Sequence, residues 1–182
     1  MLNGIFSAIL FFALIQVPVT DFKEVNITKK IKVSVPVDFV PMNDEEIRRK
    51  LTRKPTAAYT SRNRLVDFSV NIAPSTWSKK DFPLMKSFYK AGIANIHSEV
   101  KFLQEDTRTI DGQEFAVFEY VGVLKEEERS ASSRQAGTRK YTYLLYAIHQ
   151  GHTLVFNFTC ADRLRPIWQP VAKEMMGTVQ VD

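Results

Sequence analysis

The sequence predicts an α+β fold, in which helices pack on a mainly antiparallel β-sheet of about six to seven strands. Two features of its C-terminal part indicate this class. Residues 141–148 and 153–160 are rich in aromatic and β-branched side chains, and the short polar segment 149–152 between them is typical of a β-hairpin turn. After Asp162, apolar residues recur at helical spacing, which predicts a C-terminal helix. We expect this helix to pack on the hairpin, and earlier strands to pair onto the hairpin.

The returning strand of the hairpin has one apolar face, because Leu154, Phe156 and Phe158 alternate with mostly polar residues. A period of two indicates a strand with one buried side. The helix that follows ends at Gly177, and residues 178–181 are expected to add a short last strand. The predicted apolar stripe of the helix consists of Trp168, Met175 and either Val171 or Ala172.

The first predicted strand lies at residues 30–35, where polar and apolar side chains alternate. A short helix is predicted over residues 45–51, with Asn43 or Asp44 as its N-cap and acidic residues in its first turn. Pro55 prevents this helix from continuing. The domain is therefore expected to begin with a strand and a short helix.

Residues 66–72 show the clearest alternation in the chain and predict a strand that Pro74 closes. A longer helix is predicted over residues 82–99. Because glycine costs about 1 kcal/mol relative to alanine inside a helix, Gly92 is expected to allow a close approach of the helix to the sheet. The predicted buried stripe of this helix consists of Met85, Phe88 or Tyr89, Gly92 or Ile93, Ile96 and Val100.

A second hairpin is predicted around Asp111 and Gly112, which lie between the strand-like segments 100–110 and 113–124. The second of these segments is apolar on both faces, which is typical of a strand inside a sheet that is covered on both sides. Residues 125–140 are charged and rich in small residues, and they predict a long exposed loop.

The composition indicates one globular domain. The chain has 182 residues, 45% of them hydrophobic, which is enough for a sizeable core. The net charge of +5 is mild, and basic residues are concentrated between residues 48 and 64. This cluster is either a solvated surface or a site for an acidic partner or an anionic membrane. No nucleic-acid partner is expected, since no recognised binding motif accompanies the charge. Cys160 has no second cysteine to pair with and is predicted to be a buried packing thiol.

Residues 1–20 carry no charged side chain, and their apolar run is shorter than the about 20 residues that span a bilayer. This pattern predicts a signal peptide or an N-terminal membrane anchor, which leaves residues 21–182 as a single domain. A buried N-terminal helix is the alternative. We therefore expect an exported protein, periplasmic or extracellular, that associates with the membrane through residues 1–20 if the segment is retained.

Several segments resemble one known superfamily, and they lie at 33–39, 66–77, 86–90, 110–115 and 156–179. The chain resembles the DcrB/PsbP-like superfamily, which contains the bacterial envelope protein DcrB, the photosystem protein PsbP and a nuclear Ran-binding protein. Residues 41–47 add a resemblance to secreted or envelope members of this superfamily from Bacteroidetes-type bacteria. The resemblance implies an antiparallel sheet between helices and a binding or assembly role without catalysis. DcrB is a lipoprotein, whereas this chain has no cysteine near its N-terminus that could accept a lipid.

The first functional hypothesis is a non-enzymatic binding or assembly module of the bacterial cell envelope, with an unidentified protein as its partner. No catalytic, cofactor or metal site is expected. Basic and aromatic side chains are the candidates for partner binding, since tyrosine and tryptophan combine an apolar body with a polar tip. The candidate residues are Arg48, Arg49, Arg53, Lys54, Trp77 and Tyr143.

The alternative hypothesis is a hydrolase-type enzyme or a small-ligand-binding protein that uses residues near the hairpin 149–160. Its candidate side chains are Asp67, His149, His152 and Cys160. The two histidines alone cannot form a zinc site, which needs three or four protein ligands. Asp67 is more simply explained by an ion pair with Arg62 or Arg64, and Glu119 in an apolar strand also requires a charged or donor partner.

Overall fold

The computed structural model describes residues 21–125 and 138–182. The predicted signal peptide or anchor at residues 1–20 and most of the predicted loop after residue 125 lie outside these ranges. Within the two ranges, no helix is long and apolar enough to cross a membrane.

Three α-helices and ten β-strands form in the described ranges, which confirms the predicted α+β class. The helices are α1 (Asp44–Lys50), α2 (Phe82–Ile96) and α3 (Arg165–Gly177). The strands are β1 (Phe22–Asn26), β2 (Ile31–Pro36), β3 (Phe39–Pro41), β4 (Ala57–Ser61), β5 (Val66–Pro74), β6 (His97–Ile110), β7 (Gln113–Leu124), β8 (Lys140–His149), β9 (His152–Ala161) and β10 (Gln180–Val181).

Seven strands form one antiparallel sheet in the order β3-β4-β5-β9-β8-β7-β6. Both predicted hairpins are present, as β6–β7 and β8–β9. β5 pairs with β9 along its whole length, from Val66 opposite Cys160 to Pro74 opposite His152. The prediction that earlier strands pair onto the C-terminal hairpin is therefore confirmed.

A second, smaller sheet consists of β1, β2 and β10, with β2 in the middle. The strand predicted at residues 30–35 is present as β2, but it is not the first strand, because β1 precedes it and pairs with it in antiparallel register. The short strand predicted after Gly177 is present as β10. β3 and β4 are additional strands that the sequence pattern did not indicate, and they extend the large sheet beyond β5.

One face of the large sheet, which we call the α3 face, is covered by α3 and the small sheet. Ala172, Met175 and Met176 of α3 are buried in the core on this face, and Val171 of the same helix is also buried. Trp168 is partly buried there, and its ring centroid lies 6.1 Å from that of Phe158. The predicted packing of the C-terminal helix on the hairpin is therefore confirmed. The largest side chains of this face are completely buried and include Phe68, Phe115, Tyr143, Phe156 and Phe158.

The opposite face, which we call the α2 face, is packed against α2 through Met85 and Ile93. Of the alternatives in the predicted stripe, Tyr89 packs on the sheet, whereas Phe88 is 59% exposed. The expectation for Gly92 is wrong, because Gly92 is exposed and no atom lies within 4 Å of the position of a Cβ.

The predicted end of this helix at residue 99 is also wrong, because α2 ends at Ile96. His97 has an extended backbone (φ −105°, ψ 140°) and begins β6. The following residues pair with β7, starting with His97 opposite Leu124. Tertiary pairing with a long neighbouring strand therefore overrides the local helical pattern.

α1 begins at a capping box, in which Asn43 is the N-cap. The Asn43 side chain accepts a hydrogen bond from Glu46 N at 2.8 Å, and the Glu46 carboxylate accepts one from Asn43 N at 3.0 Å. The helix ends at Lys50, which lies beside Asp67 of β5. This placement brings the end of α1 and the loop after it to the α2 face of the sheet.

Candidate binding groove

The α2 face is only partly covered, because α2 packs on β6 and β7 and leaves β9 and the adjoining part of β5 open. Two adjoining cavities of about 500 and 530 Å³ occupy this open part. They share Asn71, Tyr89, Tyr146, Val155 and Asn157 as lining residues. We call them together the groove. Their volumes lie in the range of ligand pockets.

The floor of the groove changes from polar to aromatic along the sheet. Thr142 lies opposite Thr159, and their hydroxyl oxygens are 3.4 Å apart. Next along the strands, Leu144 lies opposite Asn157, followed by Tyr146 opposite Val155. Because alternate residues of a strand share a face, these side chains form three successive rows on the α2 face. Hydrogen-bonding groups and apolar surface are therefore both available within one groove.

An aromatic bank borders the groove on the side of α2. The rings of Tyr89 and Tyr146 are stacked, with centroids 4.1 Å apart and planes at 16°. The rings of Phe88 and Tyr89 are nearly perpendicular, with centroids 5.4 Å apart, and the ring centroid of Trp77 lies 5.8 Å from that of Phe88. Burial raises the pKa of the Tyr146 phenol well above its usual range, so this phenol keeps its proton at physiological pH.

The opposite bank consists of the end of α1 and residues 51–56. Lys50 Nζ lies 2.6 Å from Asp67 Oδ1 and also donates a hydrogen bond to the carbonyl oxygen of Arg64. The prediction that Asp67 pairs with Arg62 or Arg64 is therefore wrong. Arg64 pairs instead with Glu46, at 3.2 Å.

Two further polar groups of the groove have no partner among the residues that the structure describes. Lys140 is half-buried and forms no side-chain hydrogen bond or ion pair with them, and burial lowers the pKa of its amine. The charge of Asp67 partly opposes this shift. Asn157 Oδ1 is buried and accepts no hydrogen bond. Buried polar groups are normally hydrogen-bonded, which makes Asn157 Oδ1 exceptional.

The six residues predicted for partner binding are distributed unequally. Arg53 and Lys54 border the groove, and Arg48 borders an adjoining depression together with them. Trp77 is partly exposed behind Phe88 on the aromatic bank. Arg49 is exposed on α1 but does not line the groove. The interpretation of Tyr143 as an exposed aromatic is wrong, because Tyr143 is 1% exposed on the α3 face.

The four candidate residues of a hydrolase do not converge. Cys160 is buried on the α3 face, where burial raises the pKa of its thiol to about 12. Asp67 is engaged by Lys50 near the groove. His149 and His152 lie at the turn, and the spacing of strand residues places them about 26 Å along β9 from Cys160. The described ranges also contain no cluster of three metal-ligating side chains.

The groove residues Asn71, Lys140, Asn157 and Thr159 were not among the predicted site residues. The signal for three of them was present in the sequence, since Asn71, Asn157 and Thr159 are the polar members of alternating strands. That alternation was interpreted only as a partly solvated face. The register between β5, β9 and β8 is needed to show that they lie side by side.

Beside the groove, Gly122 of β7 lies very close to His97 and Glu99 of β6. His97 lines the groove, and a Cβ on Gly122 would lie 2.6 Å from His97 Cδ2 and 3.0 Å from the carbonyl oxygen of Glu99. His97 is held in place because its Nδ1 lies 2.6 Å from the carbonyl oxygen of Ile93. Burial lowers the pKa of His97, so the neutral imidazole that donates this hydrogen bond is favoured.

We expect Gly122→Ala to lower the free energy of unfolding by about 1.5 kcal/mol, because overpacking displaces His97 or the β6 backbone. The matched control is Gly92→Ala, where the added methyl group meets no atom within 4 Å. That control should be neutral or stabilising, since alanine is favoured over glycine within a helix. Urea unfolding monitored by circular dichroism measures both variants. If Gly122→Ala and Gly92→Ala had the same free energy of unfolding, the close contact at Gly122 would be contradicted.

Three solved structures share this fold. CyanoP, the cyanobacterial PsbP of Synechocystis sp. PCC 6803, aligns with a TM-score of 0.57 at 14% identity, over 92% of this chain and 96% of CyanoP. The Ran-binding protein Mog1p of Saccharomyces cerevisiae aligns with a TM-score of 0.59 at 14% identity, over 89% and 96% of the two chains. LpqN, involved in cell envelope biogenesis of Mycobacterium tuberculosis, aligns with a TM-score of 0.56 at 11% identity, over 91% of this chain and 94% of LpqN.

These likenesses define the class of protein. The chain is an α+β protein with the PsbP-like fold, as the sequence resemblance implied. No protein-family model matches the chain, and no curated protein matches it significantly. At such low identity the similarity establishes the fold and does not transfer a ligand or a partner. The relation to Bacteroidetes-type envelope proteins stays a prediction.

Proposed function

We propose that this protein is a non-enzymatic binding or assembly module of the bacterial cell envelope, exported by means of residues 1–20. Its binding surface is the groove, and its partner is a protein that presents an acidic segment. The observation that carries this proposal is the arrangement of the two banks. Arg48, Arg53 and Lys54 lie on one side, and the exposed ring of Phe88 backed by Trp77 lies on the other.

The charges on the first bank are available to a partner. Arg48 and Arg53 are exposed and form no ion pair with residues in the described ranges. Lys54 lies 3.7 Å from Asp44, but both side chains are more than 70% exposed, so this pair contributes little. An acidic segment could therefore contact three cations without breaking a strong ion pair. Complementary charge of this kind favours fast and selective association.

The comparisons support a binding role in general terms. Mog1p is described as a Ran-binding protein, and LpqN is described as involved in cell envelope biogenesis. Neither description is of an enzyme. Together with the separation of the candidate catalytic side chains, these descriptions favour binding over hydrolysis. The envelope location and the identity of the partner belong to the proposal.

A charge-reversal experiment tests the proposed surface. The tagged full-length protein is captured from envelope fractions of the native host after mild crosslinking, and bound proteins are quantified by mass spectrometry. We expect the triple variant Arg48→Glu, Arg53→Glu, Lys54→Glu to capture at least about tenfold less of a specific partner than the wild type does. A control with the same change in charge away from the groove is Lys29→Glu, Lys101→Glu, Arg163→Glu.

Only the first variant should lose the partner. Equal capture by the wild type and both variants would overturn the proposed surface. Loss in both variants would show that net charge alone matters and would also count against it. Absence of the protein from the envelope fraction would contradict the proposed location.

A second candidate function, the binding of a small ligand near the hairpin 149–160, is favoured by a separate observation. The unpartnered Asn157 Oδ1 belongs to this hairpin, and the Asn157 side chain lines the groove together with Lys140.

A further inference from the structure

Two side chains that line the groove carry polar groups of opposite kind. Lys140 provides a cation with hydrogen-bond donors, and Asn157 Oδ1 provides an acceptor. Neither is paired within the described ranges. A buried acceptor without a partner is unfavourable, and the amine of the half-buried Lys140 can reach an anion in the groove. A ligand that supplies both partners would therefore be stabilised by both groups.

Among the residues that the structure describes, the net charge near Lys140 is positive. Lys50 and Asp67 neutralise each other at 2.6 Å, and both act on the Lys140 amine through their charge. Within the described ranges, the lysine thus remains as the uncompensated charge at this end of the groove. An anionic group is the complement of such a site, whereas a second cation would be repelled.

The register fixes the spacing of the two groups. Asn157 lies opposite Leu144, four residues along β8 from Lys140, which corresponds to a backbone separation of about 13 Å along the strand. Because the lysine side chain is long, the distance between its amine and the Asn157 side chain can be shorter than this backbone separation. Thr142 and Thr159 lie between the two groups, and the Thr159 hydroxyl donates to the carbonyl oxygen of Tyr141 while its oxygen can still accept a hydrogen bond. Val155 and Tyr146 offer apolar surface beyond Asn157. The site therefore matches an elongated molecule with a charged end and an apolar body.

We infer that the groove binds a small organic anion. Its carboxylate, phosphate or sulfonate group contacts Lys140, and a flat apolar body packs against Val155 and Tyr146. An N–H or O–H group of the ligand donates to the Asn157 carboxamide once this side chain turns its buried Oδ1 toward the groove. This inference deepens the binding function proposed above, since it concerns the same groove. It depends on different residues, because the protein partner contacts Arg48, Arg53 and Lys54 on the rim.

The probes are three anions, each paired with an uncharged amide of the same shape: phenylacetate, indole-3-acetate and naphthalene-2-sulfonate. Binding is followed by ¹⁵N–¹H correlation spectra of the purified protein. We expect at least one anion to bind with a Kd below about 1 mM and at least about tenfold more tightly than its amide. The shifted amide signals should include those of Lys140 and Asn157.

Two variants assign the contacts. Lys140→Gln should weaken the binding of the anions at least about tenfold and leave the affinity for their amides unchanged. Lys101→Gln, on β6 outside the groove, should change neither affinity. Asn157→Leu should weaken indole-3-acetate, which has an N–H donor, more than naphthalene-2-sulfonate, which has none. The spectra also report whether each variant is folded, and Asn157→Ser replaces Asn157→Leu if the leucine disrupts the sheet.

Three results would overturn the inference. Either no anion of the panel binds with a Kd below about 10 mM, or each anion and its amide bind with equal affinity. The third is that the shifted amide signals belong to the rim at Arg48 and Arg53 and still shift in Lys140→Gln.

The two proposals fail separately. If anion binding depends on Lys140 but partner capture does not change when the rim charges are reversed, the protein binds a small ligand and the proposed protein-binding surface is wrong. The converse would leave a protein-binding module without an anion site.

Discussion

Phe158→Ala is expected to lower the free energy of unfolding by about 4 kcal/mol, because it empties a fully enclosed site on the α3 face. The ring of Phe158 lies 6.4 Å from that of Tyr141 and 6.1 Å from that of Trp168, measured between centroids. It therefore joins the C-terminal hairpin to α3. Since small domains are stable by about 5–15 kcal/mol, this single truncation removes a large part of the total.

Val155→Ala is the matched control on the same strand. Val155 lies on the opposite face of β9, is only partly buried and lines the groove. Its truncation should cost no more than about 1 kcal/mol, because water can reach the site. Urea unfolding of both variants gives the comparison. Similar losses would contradict the division of the sheet into a structural α3 face and an α2 face that is partly open for binding.

Local patterns predicted the hairpins because their turn residues determine the backbone there. Asp111 and Gly112 have φ of 49° and 76°, and Gln150 and Gly151 have φ of 46° and 72°. A two-residue turn with two positive φ angles matches the twist of paired strands, and such turns favour glycine, asparagine and aspartate. The sequence of the first turn therefore defined it directly. The second turn was recognised through Gly151 and the strand-like segments on each side.

The pairing of β10 with β2 could not be predicted from local pattern, because the two strands are distant in sequence. β10 pairs with β2 at Gln180 opposite Lys32 and Val181 opposite Ile31. The strand after Gly177 was expected, but its two residues have no alternation that would indicate a partner. β3 has three residues and β4 has five, and they become strands because β4 pairs with β5 and β3 pairs with β4. Tertiary context decides such segments.

The candidate site was predictable only in part for a related reason. The basic cluster is contiguous in sequence, so Arg48, Arg53 and Lys54 could be identified without a structure. Tyr143 could not be placed, because β8 is apolar on both faces and its period of two does not tell which face is open. Lys140 and Asn157 share the groove through the β8–β9 register, and neither is conspicuous in the sequence.

The expectation that Glu119 requires a charged or donor partner is confirmed on the α3 face. Glu119 is 1% exposed, and its carboxylate accepts hydrogen bonds from Tyr141 Oη at 3.1 Å and from the Gln169 side chain. Lys173 Nζ lies 3.1 Å from its second oxygen. Gln169 and Lys173 are one helical turn apart on α3, so the buried carboxylate fixes both the position and the rotation of this helix on the sheet.

We expect Lys173→Met to lower the free energy of unfolding by about 2.5 kcal/mol, because it leaves a buried carboxylate without its cation. The value lies below the usual cost of breaking a buried pair, since the Lys173 side chain is 41% exposed and water partly replaces it. Lys29→Met, at an exposed position, is the control and should change stability by less than about 0.5 kcal/mol.

A double variant separates the charge from the packing. Lys173→Met combined with Glu119→Gln removes both charges and keeps an amide that can still contact Tyr141. It should be more stable than Lys173→Met alone, since no uncompensated charge remains buried, and such non-additivity is the signature of a direct interaction. Urea unfolding of the four proteins measures the coupling. Additive losses would mean that α3 is held by its apolar side chains and that the Glu119–Lys173 pair does not orient it.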